Sequence, residues 1–123
     1  MPTLTIGPQI LRAAAAATAD GNSDSWGTAY LTSVNIQVVI SALTEGSLVN
    51  LFPEVAGELA VADANWQPLP EKNVDGLAAV GNTQIVISRT DGLSRWLRVR
   101  YTVGGAETPS VTFGLTATGQ EPH

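Results

Sequence analysis

The sequence contains no cysteine and only one histidine, His123, which is the last of its 123 residues. Without cysteine the chain can form no disulfide, thiolate zinc site or iron–sulfur cluster, and it has no thiol nucleophile. A histidine at the end of the chain is poorly placed for a Ser-His-Asp triad or a histidine metal site. The sequence therefore predicts a protein that is not an enzyme and that binds no cofactor and no metal.

Charged side chains are also scarce, since Asp, Glu, Lys and Arg make up 14% of the residues, against about a quarter in an ordinary protein. The net charge of −5 disfavours nucleic-acid binding, which needs a broad cationic surface. Residues 1–88 contain two cations and eight carboxylates, whereas residues 89–123 contain four arginines and three carboxylates. No apolar run is long enough to cross a bilayer, and the first residues lack the pattern of a signal peptide. We therefore expect a soluble protein with no nucleic-acid partner and no membrane contact.

The sequence is rich in the alternation that is typical of half-buried β-strands. Between residues 31 and 43, Val34, Ile36, Val38 and Ile40 share one face and mostly polar residues occupy the other. The same alternation recurs over residues 97–103 and 111–117, and the segment GGAET between them predicts a hairpin. Weaker strands are predicted over residues 47–52, 66–69 and 83–88, the first ending before Pro53. These patterns predict an all-β protein, an antiparallel β-sandwich with at most one short helix.

One segment leaves two alternatives open. Residues 10–19, ILRAAAAATA, contain strong helix formers but no apolar stripe at helical spacing, so the sequence permits either a strand or a short helix. The chain has no internal repeat and no linker, which indicates a single domain. We predict a β-sandwich over residues 10–118, with a flexible N-terminal arm over residues 1–9 and a flexible tail over residues 119–123.

The candidate binding residues come from the segment RWLRVRY, residues 95–101. Its apolar residues alternate with Trp96, Arg98 and Arg100, which are therefore predicted to form one row on the outer face of a sheet. Because Trp and Arg are frequent in protein–protein hot spots, we interpret the row as an interface. Pairing with acidic neighbours on the same sheet and plain solvation are the alternatives. If the row is an interface, replacing Arg98 and Arg100 should weaken association and leave folding nearly unchanged.

Two further motifs have simpler explanations. Asp20 and Asp24 are spaced like ligands of a calcium loop, but Ser25 stands in place of the required glycine and Leu31 in place of the bidentate glutamate. A solvated turn explains this motif better. Trp66, within DANWQPL, is predicted to fill the core or the space between two sheets.

The order of the segments resembles small β-sandwich virion proteins of tailed bacteriophages and prophages, including head decoration, or cement, proteins. The segments that carry this resemblance are LRAAAAATADGNSDSW, TSVNIQVVISAL, SLVNLFPEVAGELAVADANWQPLP and RWLRVRYTVGGAETPSVTFGLTATG. The last matches most closely, over residues 95–115. The resemblance implies a jelly-roll-like sandwich without catalysis, assembled in the host cytoplasm and located on the capsid surface of the virion. The partners that it implies are the major capsid protein and further copies of the chain itself, in a homotrimer.

The N-terminal arm is expected to reach onto a neighbouring subunit or the capsid. The residues expected to make this contact are Thr3, Leu4, Thr5 and Ile6. One alternative function is a carbohydrate-binding or adhesion domain of a tail fibre, and another is a tail or neck component that forms a ring. The aromatic residues that would stack on sugars in a tail fibre are Trp26, Tyr30, Trp66 and Trp96.

Overall fold

The computed structural model describes residues 3–58 and 65–122, and these residues contain ten β-strands. The strands are β1 (Thr3–Ala17), β2 (Gly21–Asn22), β3 (Trp26–Gly27), β4 (Ser33–Leu43), β5 (Leu48–Ala56), β6 (Gln67–Pro68), β7 (Val74–Leu77), β8 (Gly81–Ser88), β9 (Trp96–Gly104) and β10 (Val111–Pro122). The described residues also form two 3-10 turns, Pro70–Lys72 and Arg89–Asp91. The predicted all-β class is confirmed, and residues 10–17 of the segment left open between helix and strand belong to β1.

The strands form two antiparallel sheets that pack face to face. Sheet A has the order β1-β10-β4-β8, and sheet B has the order β2-β9-β5-β6, with β3 paired to β9 and β7 paired to β5. If β2 and β3 are counted as one interrupted strand, and β6 and β7 as another, the two orders become 1-8-3-6 and 2-7-4-5. This is the strand order of a jelly roll, a double-sheet architecture. Within the described segments, no helix has the length and hydrophobicity needed to span a membrane.

The core lies between the sheets and is built from the alternating aliphatic residues. Val34, Ile36, Val38 and Ile40 of β4 are at most 3% exposed, as their spacing predicts. Other fully buried members of the core are Leu51, Leu97, Val99, Phe113 and Leu115. Each buried aliphatic side chain contributes about 1.5–3 kcal/mol relative to an exposed one. Burial of this layer stabilises the sandwich in a chain that has no disulfide.

Residues 3–9 and 119–122, which are predicted to form a flexible arm and tail, belong to sheet A, and this corrects that part of the prediction. Thr3 lies opposite Pro122 and Ile6 lies opposite Gly119, so the first and last strands pair with each other. The predicted arm and tail are therefore strand residues over positions 3–9 and 119–122, while positions 1, 2 and 123 lie outside the described residues. Local sequence does not reveal this pairing, because each end is ordered by the opposite end of the chain.

The hairpin predicted at GGAET is wrong, because β9 and β10 lie in different sheets. The connection crosses from sheet B to sheet A and lies against the turn between β4 and β5. There the amide of Thr44 donates to the carbonyl of Ser110 at 3.0 Å, and the amide of Ser110 donates to Oγ of Ser47 at 3.1 Å. Two strands show the same alternation of apolar and polar residues whether they pair in one sheet or face each other across the core. The alternation therefore does not distinguish a hairpin from a connection that crosses between sheets.

Strand β5 continues past Pro53, where the sequence predicts that it ends. Pro53 lies opposite Val99, and its carbonyl accepts a hydrogen bond from the amide of Leu69 at 3.0 Å. Because the nitrogen and carbonyl of one residue point to the same side of an antiparallel strand, the proline nitrogen also points away from β9. It faces the segment between β6 and β7, where the ladder is interrupted and a proline is tolerated. The strand predicted over residues 66–69 is confined to Gln67–Pro68.

Candidate interaction site

Arg98 and Arg100 lie on the face of sheet B that points away from the core, as the alternation predicts, but their exposure differs. The side chain of Arg98 is 8% exposed and that of Arg100 is 43% exposed. Both are close to Glu54, which lies opposite Arg98 on β5. Nε of Arg98 is 2.9 Å from Oε1 of Glu54, and Nε of Arg100 is 3.5 Å from Oε2. Arg98 thus belongs to a buried ion pair within the chain.

Two aromatic rings cover these arginines. Cζ of Arg98 lies 4.4 Å from the ring centroid of Trp66, and Cζ of Arg100 lies 4.3 Å from that of Phe52. Trp66 is 5% exposed, so it is buried as predicted, but it lies over sheet B and outside the core cluster between the sheets. The prediction that Arg98 is available for an interface is wrong. Arg98 instead follows the alternative, in which the arginine pairs with an acidic residue on the same sheet. Trp96 and Arg100 are only half-buried, and their role in an interface stays a prediction.

The N-terminal residues proposed for contact are bound to their own sheet. Thr3, Leu4, Thr5 and Ile6 all pair with β10. The hydroxyl of Thr5 accepts a hydrogen bond from Nε2 of Gln120 at 3.2 Å, and Ile6 packs against the core. The prediction of a free arm is therefore wrong for these positions, which form part of strand β1. Contact of these residues with a neighbouring subunit or the capsid stays a prediction.

An open cleft of about 520 Å³ lies beside Trp96. Its lining residues are Gly27, Ala29, Tyr30, Arg89, Arg95 and Trp96, and we call it the cationic cleft. Tyr30 is 83% exposed, Arg95 is exposed and Trp96 is half-buried. The charged residues of this lining are both arginines, so the cleft is a cationic corner of an acidic protein. The sequence identifies Tyr30 and Trp96 as aromatic residues that could stack on sugars, but it does not predict that they lie in one cleft.

Arg89 joins the two loops that form the cationic cleft. Its Nη2 donates to the carbonyl of Thr28 at 2.7 Å, and its Nη1 donates to the carbonyl of Leu93 at 2.8 Å. These bonds connect the loop after β3, which carries Tyr30, to the loop before β9, which carries Arg95. For the guanidinium of Arg95, by contrast, the described part of the chain provides no hydrogen bond or ion pair. The cleft thus combines one arginine that is fixed by backbone carbonyls with one that is available to a ligand.

The 3-10 turn that carries Arg89 is closed by a capping box. The amide and the hydroxyl of Ser88 donate to Oδ2 of Asp91 at 2.9 and 3.0 Å, and Nζ of Lys72 lies 3.3 Å from the same oxygen. These contacts, the Ser88 amide foremost, lower the pKa of Asp91 below its ordinary value of 3.8. The ionised carboxylate therefore stabilises the turn beside the cleft.

The lowered pKa of Asp91 predicts that acid weakens this turn. A carboxyl group whose pKa is lower in the folded state stabilises the fold above its unfolded pKa, and this stabilisation is lost as the pH falls through the folded value. Thermal unfolding from pH 7 down to pH 2 should therefore show a smaller acid-dependent loss of stability for Asp91→Asn than for the wild type. Asp75→Asn is the control for removal of a carboxylate elsewhere. An unchanged pH dependence in Asp91→Asn would contradict the prediction.

Carboxylates elsewhere do not form a metal site among residues 3–58 and 65–122, since no group of three or more potential ligands comes together there. Asp20, from the weak calcium motif, accepts a hydrogen bond from the amide of Val103 through its Oδ1 at 3.0 Å. That contact ties the loop before β2 to β9. The structure thus gives Asp20 a structural role in sheet B.

The outer face of sheet A is uncharged. The strand register places Gln37 between Gln84 and Thr116, and Val39 between Asn82 and Gly114. In the described part of sheet A, we find no Asp, Glu, Lys or Arg side chain on this face. Residues of the uncharged face include Thr5, Ile10, Asn35, Gln37, Val39, Gln84, Val86, Thr116 and Thr118. Ile10, Val39 and Val86 are 58%, 42% and 51% exposed, so the face also presents apolar surface.

No family model matches the chain, and no curated protein matches it at a significant level. The fold is similar to that of a chain in the structure of infectious bursal disease virus, Gx strain, with a TM-score of 0.50 and 11% sequence identity. The similarity covers 98% of this chain and 33% of the viral chain, so the present chain spans about a third of that length. At this identity the similarity concerns the fold alone.

Proposed function

We propose that the chain is a structural protein of a virion and has no catalytic activity. The observation that carries the proposal is the jelly-roll strand order, which extends over nearly the whole chain, together with the similarity of the fold to a chain of a virus structure. Jelly rolls are common in viral capsid proteins, although the same fold also serves lectins and other functions. The phage setting of the proposal rests on the resemblance of the sequence segments.

Within this class, we propose a decoration protein that binds the major capsid protein on the head of a tailed bacteriophage. The uncharged face supports this role, because a broad contact there requires the desolvation of few charged groups. Symmetric copies multiply weak contacts on a repeating lattice, which favours a homotrimer on the capsid surface. Assembly would take place in the host cytoplasm, with neither nucleic acid nor a membrane as a partner.

Two carboxylates placed on the uncharged face test whether it contacts the capsid. Gln37→Glu combined with Thr116→Glu places them on directly opposite residues of β4 and β10. In the free subunit this like-charge pair should cost about 1 kcal/mol or less. In a dehydrated contact, unpaired charges cost several kcal/mol, so the affinity for purified particles should fall about 100-fold, and occupancy should fall in proportion at protein concentrations below the wild-type Kd. Gel densitometry of particles incubated with each protein measures occupancy.

The matched control places the same two charges in the loop between β7 and β8. Ala78→Glu combined with Ala79→Glu changes exposed positions outside the uncharged face and should leave occupancy unchanged. Wild-type occupancy by the Gln37→Glu and Thr116→Glu variant would contradict contact through this face.

Electron cryo-microscopy of intact particles tests the location of the chain. The decoration role predicts density for the jelly roll on the outside of the head lattice, repeated with the symmetry of the capsid. Density in a tail fibre, or in a ring at the tail or neck, would contradict decoration and support one of the alternatives. Particles that lack the chain altogether would contradict the virion role.

A further inference from the structure

We propose that the cationic cleft binds an acidic saccharide, whose carboxylate contacts Arg95 and whose sugar ring packs on Trp96 and Tyr30. The site lies at the end of sheet B beside β3, apart from the uncharged face of sheet A. The inference concerns a ligand site that the virion role does not require, and it does not rest on that role.

The charge of the cleft indicates an anionic ligand. Arg89 and Arg95 are the charged residues of the lining, whereas the protein as a whole has a net charge of −5. Arg95 is exposed, and its guanidinium has no partner among the residues that the structure describes. A guanidinium binds a carboxylate through two parallel hydrogen bonds, which fixes the orientation of the ligand as well as its charge.

The aromatic residues of the cleft indicate a ring-shaped ligand. Gly27 lies opposite Trp96 on neighbouring strands, and a Cβ atom at position 27 would lie 3.5 Å from Cζ3 and 3.6 Å from Cη2 of the indole. The glycine therefore leaves uncovered a part of the indole that any other side chain would contact. Tyr30, which is 83% exposed, adds a second ring at the edge of the cleft. Such rings offer an apolar surface for the C–H face of a sugar.

The size and rigidity of the cleft favour a saccharide over a protein segment. Its volume of about 520 Å³ lies within the range of about 300–1,000 Å³ that is common for small-molecule sites. The Arg89 bonds hold the Tyr30 and Arg95 loops together before any ligand arrives, so binding orders little of the backbone. A saccharide of two or three sugars is large enough to contact both rings and Arg95.

Titration of the isolated protein with defined saccharides tests this site. The acidic probes are 3′-sialyllactose and a hyaluronan tetrasaccharide, and lactose is the neutral control. In nitrogen-15 NMR spectra, at least one acidic probe should shift the amide signals of Gly27, Tyr30 and Trp96 saturably. Lactose should bind at least about 10-fold more weakly, because it lacks the charge-assisted hydrogen bonds to Arg95.

Three variants separate this site from a general effect of charge. Gly27→Val should abolish binding by covering the indole, and a Cβ at this position makes only ordinary van der Waals contacts with the ring. Arg95→Gln should weaken binding at least about 10-fold. Arg100→Gln removes the same charge from β9 outside the cleft and should leave the affinity unchanged. Melting temperatures confirm that each variant is folded.

Several results would overturn the proposal. Failure of both acidic probes to bind at millimolar concentration, equal affinity for lactose, or full binding by Gly27→Val would each do so. A poly-glutamate peptide that shifts the same signals when neither saccharide does would assign the cleft to an acidic protein segment instead. Because the titration uses the isolated protein, its failure is distinguishable from failure of the virion role, which the particle experiments measure.

Discussion

Replacing Arg98 with alanine is expected to lower the free energy of unfolding by about 3–5 kcal/mol. Glu54 is 7% exposed and would lose its partner at 2.9 Å, which leaves a carboxylate buried without its main counter-charge. Trp66 would lose the guanidinium that its ring covers. Arg100 remains near Glu54 at 3.5 Å, but its side chain is 43% exposed and it compensates only in part. Urea unfolding at pH 7 measures the loss.

Two variants show whether the loss comes from the buried charge. Arg100→Ala removes the exposed member of the cluster and should cost about 1 kcal/mol or less. Glu54→Gln combined with Arg98→Met removes both buried charges while it keeps side-chain volume, so it should be much more stable than Arg98→Ala alone. Equal losses in Arg98→Ala and Arg100→Ala would contradict a special role of the buried pair.

The sequence predicts the face on which Arg98 lies, but not the residues that cover it. Leu97 and Val99 fill the core, so the alternation correctly places Arg98 on the opposite side of β9. Its partner Glu54 follows Pro53, and the sequence predicts that the strand ends before this proline. For this reason the sequence does not predict the pairing of Glu54 with Arg98. Strand partners and covering loops depend on contacts between distant segments, which periodicity within one segment does not encode.

Sequence patterns do not predict the cationic cleft, for a related reason. It depends on the pairing of β3 with β9, which places Gly27 opposite Trp96. β3 contains two residues, too few for any alternation to be recognised. Of the four aromatic residues predicted to stack on sugars, the structure places Tyr30 and Trp96 in the cleft, whereas Trp66 is buried and Trp26 packs against the core.

Replacing Gly105 with alanine is expected to lower the free energy of unfolding by about 2–4 kcal/mol. Gly105 has a φ angle of +84°, which costs a residue with a side chain about 1–2 kcal/mol. A Cβ atom there would also lie 2.4 Å from the backbone carbonyl oxygen of Gly46, so the two loops would have to separate. Thermal and urea unfolding of the purified variant measure the effect.

The neighbouring residue provides the matched control for this prediction. Gly104 has no positive φ angle, and a Cβ atom at that position would have no neighbour within 4 Å. Gly104→Ala should therefore change stability by about 0.5 kcal/mol or less. The part of the difference that exceeds the cost of about 1–2 kcal/mol of the positive φ angle reports the contact of the crossing connection with the turn between β4 and β5. A hairpin within one sheet would not place Gly105 against Gly46. Equal stability of the two variants would contradict that contact and, with it, the path by which the chain passes from sheet B to sheet A.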